Sequence, residues 1–195
     1  SADRFTVDET IEAGSTHAWG GLEWRALAAP GHDMGALVFF NPGHRVLISG
    51  DALWRDGFGI LFAEVMGQGD ALGEARRTLE AIGRLAVDVV IPGHGAPFAE
   101  FDDALERAFA RLRAFEDDGA RMARNAIRAC ITFKLLEVRS MALVELPRHL
   151  DETPLYRTAN ARFLGLDADA LAAWLVKELE RAGVARREHG MLVAS

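Results

Sequence analysis

The sequence predicts an α+β protein in which a strand-rich first part is followed by a mostly helical second part. Short apolar runs bounded by turn residues predict strands at residues 22–29, 36–40, 46–49 and 87–91. Beyond residue 100, apolar residues recur at three- and four-residue steps, which indicates amphipathic helices. A segregated order of strands and helices is typical of the α+β class.

The elements of the first part follow from local signals. Asn-Pro-Gly-His at residues 41–44 predicts a hairpin turn between two strands. Asp70 is placed to cap a helix that lies between the last two strands. The apolar positions of that helix are Leu72, Ala75, Leu79, Ile82 and Leu85. A longer helix follows, which we expect to end near Gly119, with the apolar positions Phe101, Leu105, Phe109, Leu112 and Phe115.

The second part is predicted to be helical until a final hairpin. The first helix has the apolar positions Ile127, Ile131, Leu135 and Val138. We expect Ser140 to cap a second helix that ends near Pro147, and Thr153-Pro154 to open a third. A fourth helix covers residues 167–182, and two short strands flank residues 188–190. Helices followed by a hairpin are typical of a winged helix, so we predict a small winged-helix-like domain.

Charge divides unevenly along the chain. Residues 1–123 carry 11 basic and 20 acidic residues, a net of −9, whereas residues 124–195 carry 11 and 9, a net of +2. This change predicts two domains, 1–123 and 124–195. The acidic first domain is poorly suited to nucleic acid, because affinity for phosphate depends on cationic contacts.

Composition excludes several classes of protein. The chain is 50% hydrophobic, so it is not disordered, and its one cysteine, Cys130, excludes an intrachain disulfide framework. No apolar run approaches the roughly 18 residues of a membrane-spanning helix, so we expect no membrane partner. Residues 1–4 contain no apolar segment of the kind found in signal peptides. We therefore expect a cytoplasmic protein.

Three segments place a histidine or an aspartate beside glycine where a predicted strand ends. They are Pro-Gly-His at 30–32, Ser-Gly-Asp at 49–51 and Pro-Gly-His-Gly at 92–95. Glycine allows the chain to turn sharply, so the three side chains can face one cleft. Imidazole and carboxylate are the ligands that zinc prefers. The segments therefore predict His32, Asp51 and His94 as metal ligands.

In this order, PGHDMG, SGDALW and IPGHG resemble the second half of the metallo-β-lactamase superfamily fold, an αββα sandwich with a dinuclear metal site. The resemblance covers roughly residues 5–100 and implies that His32 binds one ion, His94 the other, and Asp51 both. It implies a hydrolase in which two ions, zinc with iron or manganese as alternatives, activate a hydroxide, with Asp51 at the catalytic centre. The remainder resembles the winged-helix-like appendage of some superfamily hydrolases.

One motif of the superfamily is absent. HxHxDH should lie upstream of His32, but the only histidine there is His17. We therefore expect that four ligands are missing, that the chain is a truncated and inactive fragment of an active parent, and that its own metal binding is weak or absent. A sheet that has lost its partner would expose apolar surface, so we also expect a homo-oligomer.

The segment after Asp51 is a candidate substrate pocket. Trp54 and Phe58 could line it, and Arg55 could meet a carboxylate of a small-molecule substrate; packing and solvated surface are the alternative roles. A thioester, a lactone or another ester is the expected order of substrates, although the segment lacks the G-C-G-R sequence of hydroxyacylglutathione hydrolases.

The alternative is a non-catalytic winged-helix protein that binds nucleic acid or dimerises. After its cap, the helix at 167–182 carries three acidic and two basic residues, whereas a DNA-reading helix needs a basic face. Nucleic acid is therefore the less favoured partner.

Overall fold

The structure, a computed structural model, describes residues 6–195. The chain divides into two compact units, one formed by residues up to Gly59 with Ala71–Leu112 and the other by Ile60–Asp70 with Arg113–Ser195. Residues 1–4, on which the predicted lack of a signal peptide rests, lie outside the described part. Among the residues that are described, no helix is long and apolar enough to cross a membrane.

The first unit contains a five-stranded sheet whose strands lie in chain order. These are β1 (Thr16–Trp19), β2 (Leu22–Ala28), β3 (Leu37–Asn41), β4 (Val46–Gly50) and β5 (Val89–Pro92). Neighbours pair antiparallel from β1 to β4, and β5 joins β4 in parallel. The four predicted strands are confirmed, and β2, β4 and β5 run in the same direction.

The predicted hairpin turn between β3 and β4 is also present. Asn41 is buried; its side-chain amide donates to the Glu23 carbonyl at 2.7 Å, and its Oδ1 accepts from the His44 backbone N–H at 2.6 Å. Arg45 has a φ of 55°, as a tight connection requires. The Asn side chain thus replaces backbone hydrogen bonds that the turn cannot make itself.

The two faces of this sheet differ in burial. One face is buried through Val38, Phe40, Leu47 and Val90. On the other, Trp19 is 42% exposed and packs edge-on against Phe39 at 5.4 Å, and Ile91 is 38% exposed. The apolar side chains of β3 and β5 are therefore exposed in part, and the predicted self-association stays a prediction.

Three helices accompany or follow these strands. α1 (Phe62–Met66) and α2 (Ala71–Ile82) lie between β4 and β5 in the chain, and α3 (Phe101–Asp117) follows β5. The predicted apolar face of α2 is confirmed, since Ala75, Leu79 and Ile82 are buried. α1 belongs to the second unit, and the division between the two units falls within α3.

The helix that was predicted to end near Gly119 does end close to this position, but Gly119 is not the residue that ends it. α3 ends at Asp117, and Gly119 is the first residue of α4 (Gly119–Val138). Asp118 is the N-cap of α4, and its Oδ1 accepts from the Arg121 N–H at 3.1 Å. A Cβ at position 119 would lie 2.7 Å from the Phe163 ring, so glycine is needed here for close packing rather than to end a helix.

The rest of the second unit is helical with a small sheet. Its remaining elements are β6 (Ser140–Ala142), a 3₁₀ turn (Leu143–Glu145), α5 (Leu146–Glu152), α6 (Pro154–Phe163), α7 (Ala168–Arg181), β7 (Ala185–Glu188) and β8 (Met191–Ala194). The sheet is antiparallel, with β8 in the centre. The predicted terminal hairpin is confirmed, and His189 and Gly190, with φ of 48° and 78°, form its turn.

Two local predictions in this unit are wrong. Ser140 begins β6 rather than capping a helix, because it pairs with Val193 of β8. Pro147 lies in the first turn of α5 and not at a helix end, since a missing N–H is tolerated there. The predicted starts at Pro154 and after Asp167 are confirmed; Asp167 Oδ1 accepts from the Ala170 N–H at 2.7 Å.

The change in charge balance at residues 123/124 lies inside α4. Charge composition can change within one helix without a break in the backbone. The boundary predicted from charge therefore differs from the boundary between the two compact units, which lies between Leu112 and Arg113. The second unit combines helices with a three-stranded antiparallel sheet. Its description as a winged helix stays a prediction.

Tyr156 of α6 gives the second unit a pH dependence that can be measured. Burial, with an added effect of the Cys130 thiol, raises the pKa of the Tyr156 phenol from its usual 10 to about 12. The unfolded chain therefore loses this proton first, so this contribution to stability is full below pH 10 and is lost between about pH 10 and pH 12. In chemical denaturation, wild type should lose about 1 kcal/mol more than Tyr156→Phe between pH 9 and pH 11. Equal losses in both proteins would contradict this.

Candidate functional site

The predicted ligands His32, Asp51 and His94 come together at one edge of the five-stranded sheet. His32 Nε2 lies 3.4 Å from Asp51 Oδ2, and His94 Nε2 lies 3.7 Å from Asp51 Oδ1. Each carboxylate oxygen of Asp51 therefore has a different imidazole beside it.

Strand direction explains why these three side chains meet. His32 follows β2, Asp51 follows β4, and His94 follows β5. Because these strands run the same way, their C-terminal ends lie at the same edge of the sheet. The register pairs Gly50 with Pro92, which brings the segment after β4 next to the segment after β5.

Two glycines leave room for these side chains. A Cβ at Gly93 would lie 2.8 Å from Asp51 Oδ1 and about 3 Å from the Gly50 carbonyl group. A Cβ at Gly59 would lie 2.6 Å from His32 Nδ1 and 3.0 Å from the Asp51 Cβ. All of these distances are shorter than van der Waals contact, so the site requires glycine at positions 59 and 93.

Trp54 supports Asp51 and His94 directly. Its indole Nε1–H donates to Asp51 Oδ1 at 3.0 Å, and its ring packs edge-on against His94 with 5.2 Å between ring centroids. The indole therefore fixes the orientation of the carboxylate that lies between the two imidazoles. On sequence alone, a substrate pocket and packing were the alternative roles of Trp54, and this hydrogen bond was not predicted.

The loop that follows is held in place by several contacts. The Trp54 N–H donates to the Gly57 carbonyl at 2.6 Å, and the Gly59 N–H donates to the Asp51 carbonyl at 2.8 Å. Arg107 of α3 donates from Nε to the Arg55 carbonyl at 2.8 Å. This loop is therefore a closed turn anchored to a helix.

The other predicted pocket residues have partners within the chain. The Arg55 guanidinium forms an ion pair with the Glu100 carboxylate at 2.6 Å. The pKa of the Glu100 carboxyl is lowered, first by a hydrogen bond from the backbone N–H of Glu100 and then by the charge of Arg55. Phe58 is 2% exposed and lies under the Arg111 guanidinium, 5.5 Å from its ring centroid. Phe58 therefore belongs to the core here and does not line an open pocket.

Two buried hydroxyl groups that sequence reasoning missed anchor the ligand segments. Ser49 Oγ donates to the Leu53 carbonyl at 2.6 Å and closes the turn that carries Asp51. Thr78 Oγ1 of α2 donates to the Pro30 carbonyl at 2.8 Å and fixes the segment that leads to His32. The available signal was a hydroxyl residue on the buried face of a strand or helix, where a polar group needs a partner.

Thr78→Val should test the anchoring of the His32 segment. Valine keeps the shape but removes the donor, so the Pro30 carbonyl loses this partner, and we expect a loss of about 1–3 kcal/mol in the free energy of unfolding. Thr132→Val is the matched control, because Thr132 Oγ1 donates at 2.8 Å to Arg128, a carbonyl within its own helix. Denaturant unfolding of both variants measures the difference, and equal losses would contradict the anchoring role.

The carboxylate and imidazole groups of this site are of the type that binds divalent cations, but there are few of them. Asp51 could contribute one oxygen to each of two ions, with one imidazole beside each oxygen. However, no group of three or more His, Cys, Asp or Glu side chains arranged to hold a metal ion occurs between residues 6 and 195. The residues that are present thus form pairs of ligands on the two sides of one carboxylate.

The other histidines do not join this cluster. His44 and His189 are exposed, as predicted. His149 was also expected to face solvent, but it is half-buried against the Tyr156 ring, and its Nε2 has no hydrogen-bond partner. His17 stacks on Trp19 at 4.6 Å and bonds to Ser15 Oγ.

With the geometry established, the chain was compared with known proteins. Residues 2–94, slightly less than half of the chain, match the family model of the metallo-beta-lactamase superfamily, which supports a domain of this superfamily in that stretch. The matched stretch contains His32, Asp51 and His94.

Curated relatives agree with this match. The chain is 30% identical over 107 residues to the probable metallo-hydrolase YqjP of Bacillus subtilis, covering 52% of the chain and 34% of YqjP. It is 32% identical over 122 residues to a hydroxyacylglutathione hydrolase of Rhodospirillum rubrum, covering 60% of the chain and 45% of the relative. The chain thus spans less than half the length of these relatives.

A solved structure is also similar to this chain. The metallo-beta-lactamase family protein TTHA1429 of Thermus thermophilus aligns with 95% of the chain and 54% of its own, at 22% identity and a TM-score of 0.47.

Proposed function

We propose that this chain provides one side of a dinuclear metal site in a metallo-β-lactamase-fold hydrolase. The observation that carries the proposal is the position of Asp51, whose two carboxylate oxygens each face a different imidazole at one sheet edge. This arrangement suits a carboxylate that bridges two cations. The family match over residues 2–94 supports the same interpretation.

In this proposal each residue has one role. Asp51 would hold both ions, His32 one and His94 the other, while the indole of Trp54 keeps the Asp51 carboxylate in one orientation. Bound divalent ions, zinc or alternatively iron or manganese, would supply Lewis-acid activation of water and of the substrate carbonyl. Gly59 and Gly93 keep side-chain atoms out of the space around the carboxylate.

The small number of candidate metal ligands limits metal binding and hydrolysis by the isolated 195-residue chain. It contains no HxHxDH motif, so each ion would have two ligands from this chain. We propose that the isolated chain binds divalent ions weakly and is inactive in hydrolysis, and that activity needs further ligands.

A small ester is the proposed substrate, with a thioester first and a lactone second. The similarity to hydroxyacylglutathione hydrolases supports the thioester. Trp54 is half-buried beside His94 and could contact a substrate there, whereas Arg55 would have to exchange its Glu100 partner for a substrate carboxylate. The single cysteine supports a reducing compartment, and a cytoplasmic location stays a prediction.

Metal titration of the 195-residue chain tests the site. With Co²⁺ as the probe, followed by its absorption bands, His32→Ala and His94→Ala should each weaken binding, because each removes one imidazole from the cluster. His44→Ala and His189→Ala are matched controls, since both histidines are exposed and lie in turns. Equal effects of all four substitutions would contradict the proposed site.

Zinc stoichiometry and hydrolysis test the ligand number. We expect fewer than two zinc ions per chain after dialysis, and no hydrolysis of S-lactoylglutathione, a simple lactone or p-nitrophenyl acetate above that of zinc alone. Two retained zinc ions, or turnover that Asp51→Asn abolishes, would show that the chain is sufficient by itself.

A further inference from the structure

We propose that α7 forms the interface of a homodimer, in which two copies pack this helix antiparallel and cross at Ala173. The inference concerns the second unit only and does not depend on the metal site.

A groove lies beside α7 and gives the interface its apolar part. Its volume is about 560 Å³, and Leu143, Leu146 and Pro147 line one side while Ala172 and Val176 of α7 line the other. Val144, which follows Leu143 in the chain but does not line the groove, is 87% exposed. Contiguous apolar surface with a charged rim is typical of a protein-binding site.

The exposed face of α7 suits a second helix. Asp169, Ala173 and Lys177 are spaced four residues apart and therefore lie along one side of the helix. Ala173 is exposed and small, so the backbone of another helix can approach closely at the middle of this row.

The charges of this row are complementary to those of a second copy. On α7, Glu180 is paired with Arg187 at 2.8 and 2.9 Å, and Glu178 is paired with Arg181 at 2.6 Å. Asp169 and Lys177 form no ion pair with any residue between 6 and 195.

A two-fold axis at Ala173 would pair these two charges between the copies. Asp169 and Lys177 lie at equal distances in sequence on either side of Ala173. In an antiparallel pair that crosses at Ala173, Lys177 of each copy faces Asp169 of the other, so two ion pairs form at once. A parallel pair would instead place like charges together. The face carries one acidic and one basic residue and therefore lacks the basic surface that nucleic acid requires.

Disulfide trapping tests the crossing point. Ala173→Cys in a Cys130→Ser background should form a disulfide-linked dimer under mild oxidation, because the two-fold axis brings both residues 173 together. Ala182→Cys in the same background is the matched control, since this exposed position follows α7 away from the crossing point. Equal cross-linking of both variants, or none at 173, would overturn the proposal.

Charge reversal tests the pairing. By sedimentation velocity, Asp169→Lys and Lys177→Asp should each raise the dimer dissociation constant about tenfold, and the double variant should restore it. Circular dichroism of the same samples checks that α7 remains folded. A wild type that is monomeric at high micromolar concentration would overturn the proposal. So would a dimer that only Ile91→Lys on the sheet disrupts, or DNA binding that Lys177→Asp removes.

Discussion

Replacing Gly59 with alanine is expected to disorder the candidate metal site and to weaken Co²⁺ binding about tenfold or more. The new methyl group would lie 2.6 Å from Nδ1 and 2.8 Å from Cγ of His32, and 3.0 Å from the Asp51 Cβ. The imidazole must move away, which separates it from Asp51 Oδ2. Overpacking of this kind also lowers the free energy of unfolding by about 1–3 kcal/mol.

Gly43→Ala is the matched control for this variant. Its Cβ would lie 3.6 Å from Asn41 Oδ1, an ordinary contact, within the hairpin turn of the same unit. Co²⁺ titration and denaturant unfolding of both variants measure the difference. If Gly59→Ala binds Co²⁺ as well as Gly43→Ala does, the close packing of the site is not required for binding.

Trp54→Phe is expected to reduce divalent-ion affinity about 10- to 100-fold, the range found when a hydrogen bond to a metal ligand is lost. Phenylalanine keeps an aromatic ring beside His94 but cannot donate to Asp51 Oδ1. The carboxylate then samples several orientations, and its two oxygens no longer face the two imidazoles together. Zinc competition against a coloured chelator measures the affinity.

Trp24→Phe controls for the loss of an indole donor elsewhere. Trp24 Nε1 donates to the Trp19 carbonyl at 3.4 Å, between β1 and β2, and we expect a change in zinc affinity of less than about twofold. The indole N–H signal that disappears in Trp54→Phe identifies Trp54 in an NMR spectrum of the metal-free protein. If Asp51→Asn leaves that signal unshifted, the indole does not donate to Asp51.

Local sequence signals selected residues that lie together, but they did not predict the contacts around them. The candidate ligands His32, Asp51 and His94 could be selected because each follows a strand next to glycine, and the structure brings all three side chains together. Their role as ligands stays a prediction. For Trp54 and Phe58 the sequence left a substrate pocket and packing as alternatives, because an aromatic residue next to a turn gives no indication of what it contacts. The structure decides for packing at Phe58, which is buried with Arg111 of α3 over its ring.

The errors in secondary structure have the same physical origin. Serine is a good helix cap, but Ser140 pairs with Val193, a partner more than fifty residues later that no local window includes. Gly119 is a plausible helix end by composition, yet Asp118 caps a new helix and the Phe163 ring requires glycine there. In both cases a contact between distant residues overrode a local preference.

The sequence by itself determined the division into a strand-rich and a mostly helical part, the three candidate ligands and the resemblance to the metallo-β-lactamase superfamily, because these depend on residue types at short spacings. Only the tertiary structure decided that β2, β4 and β5 run in one direction, so that Asp51 lies between two imidazoles. It also decided which polar groups hold that geometry, namely Trp54, Ser49 and Thr78. Hydrogen bonds and close packing between distant segments form only when the chain folds, so they have no local signature in the sequence.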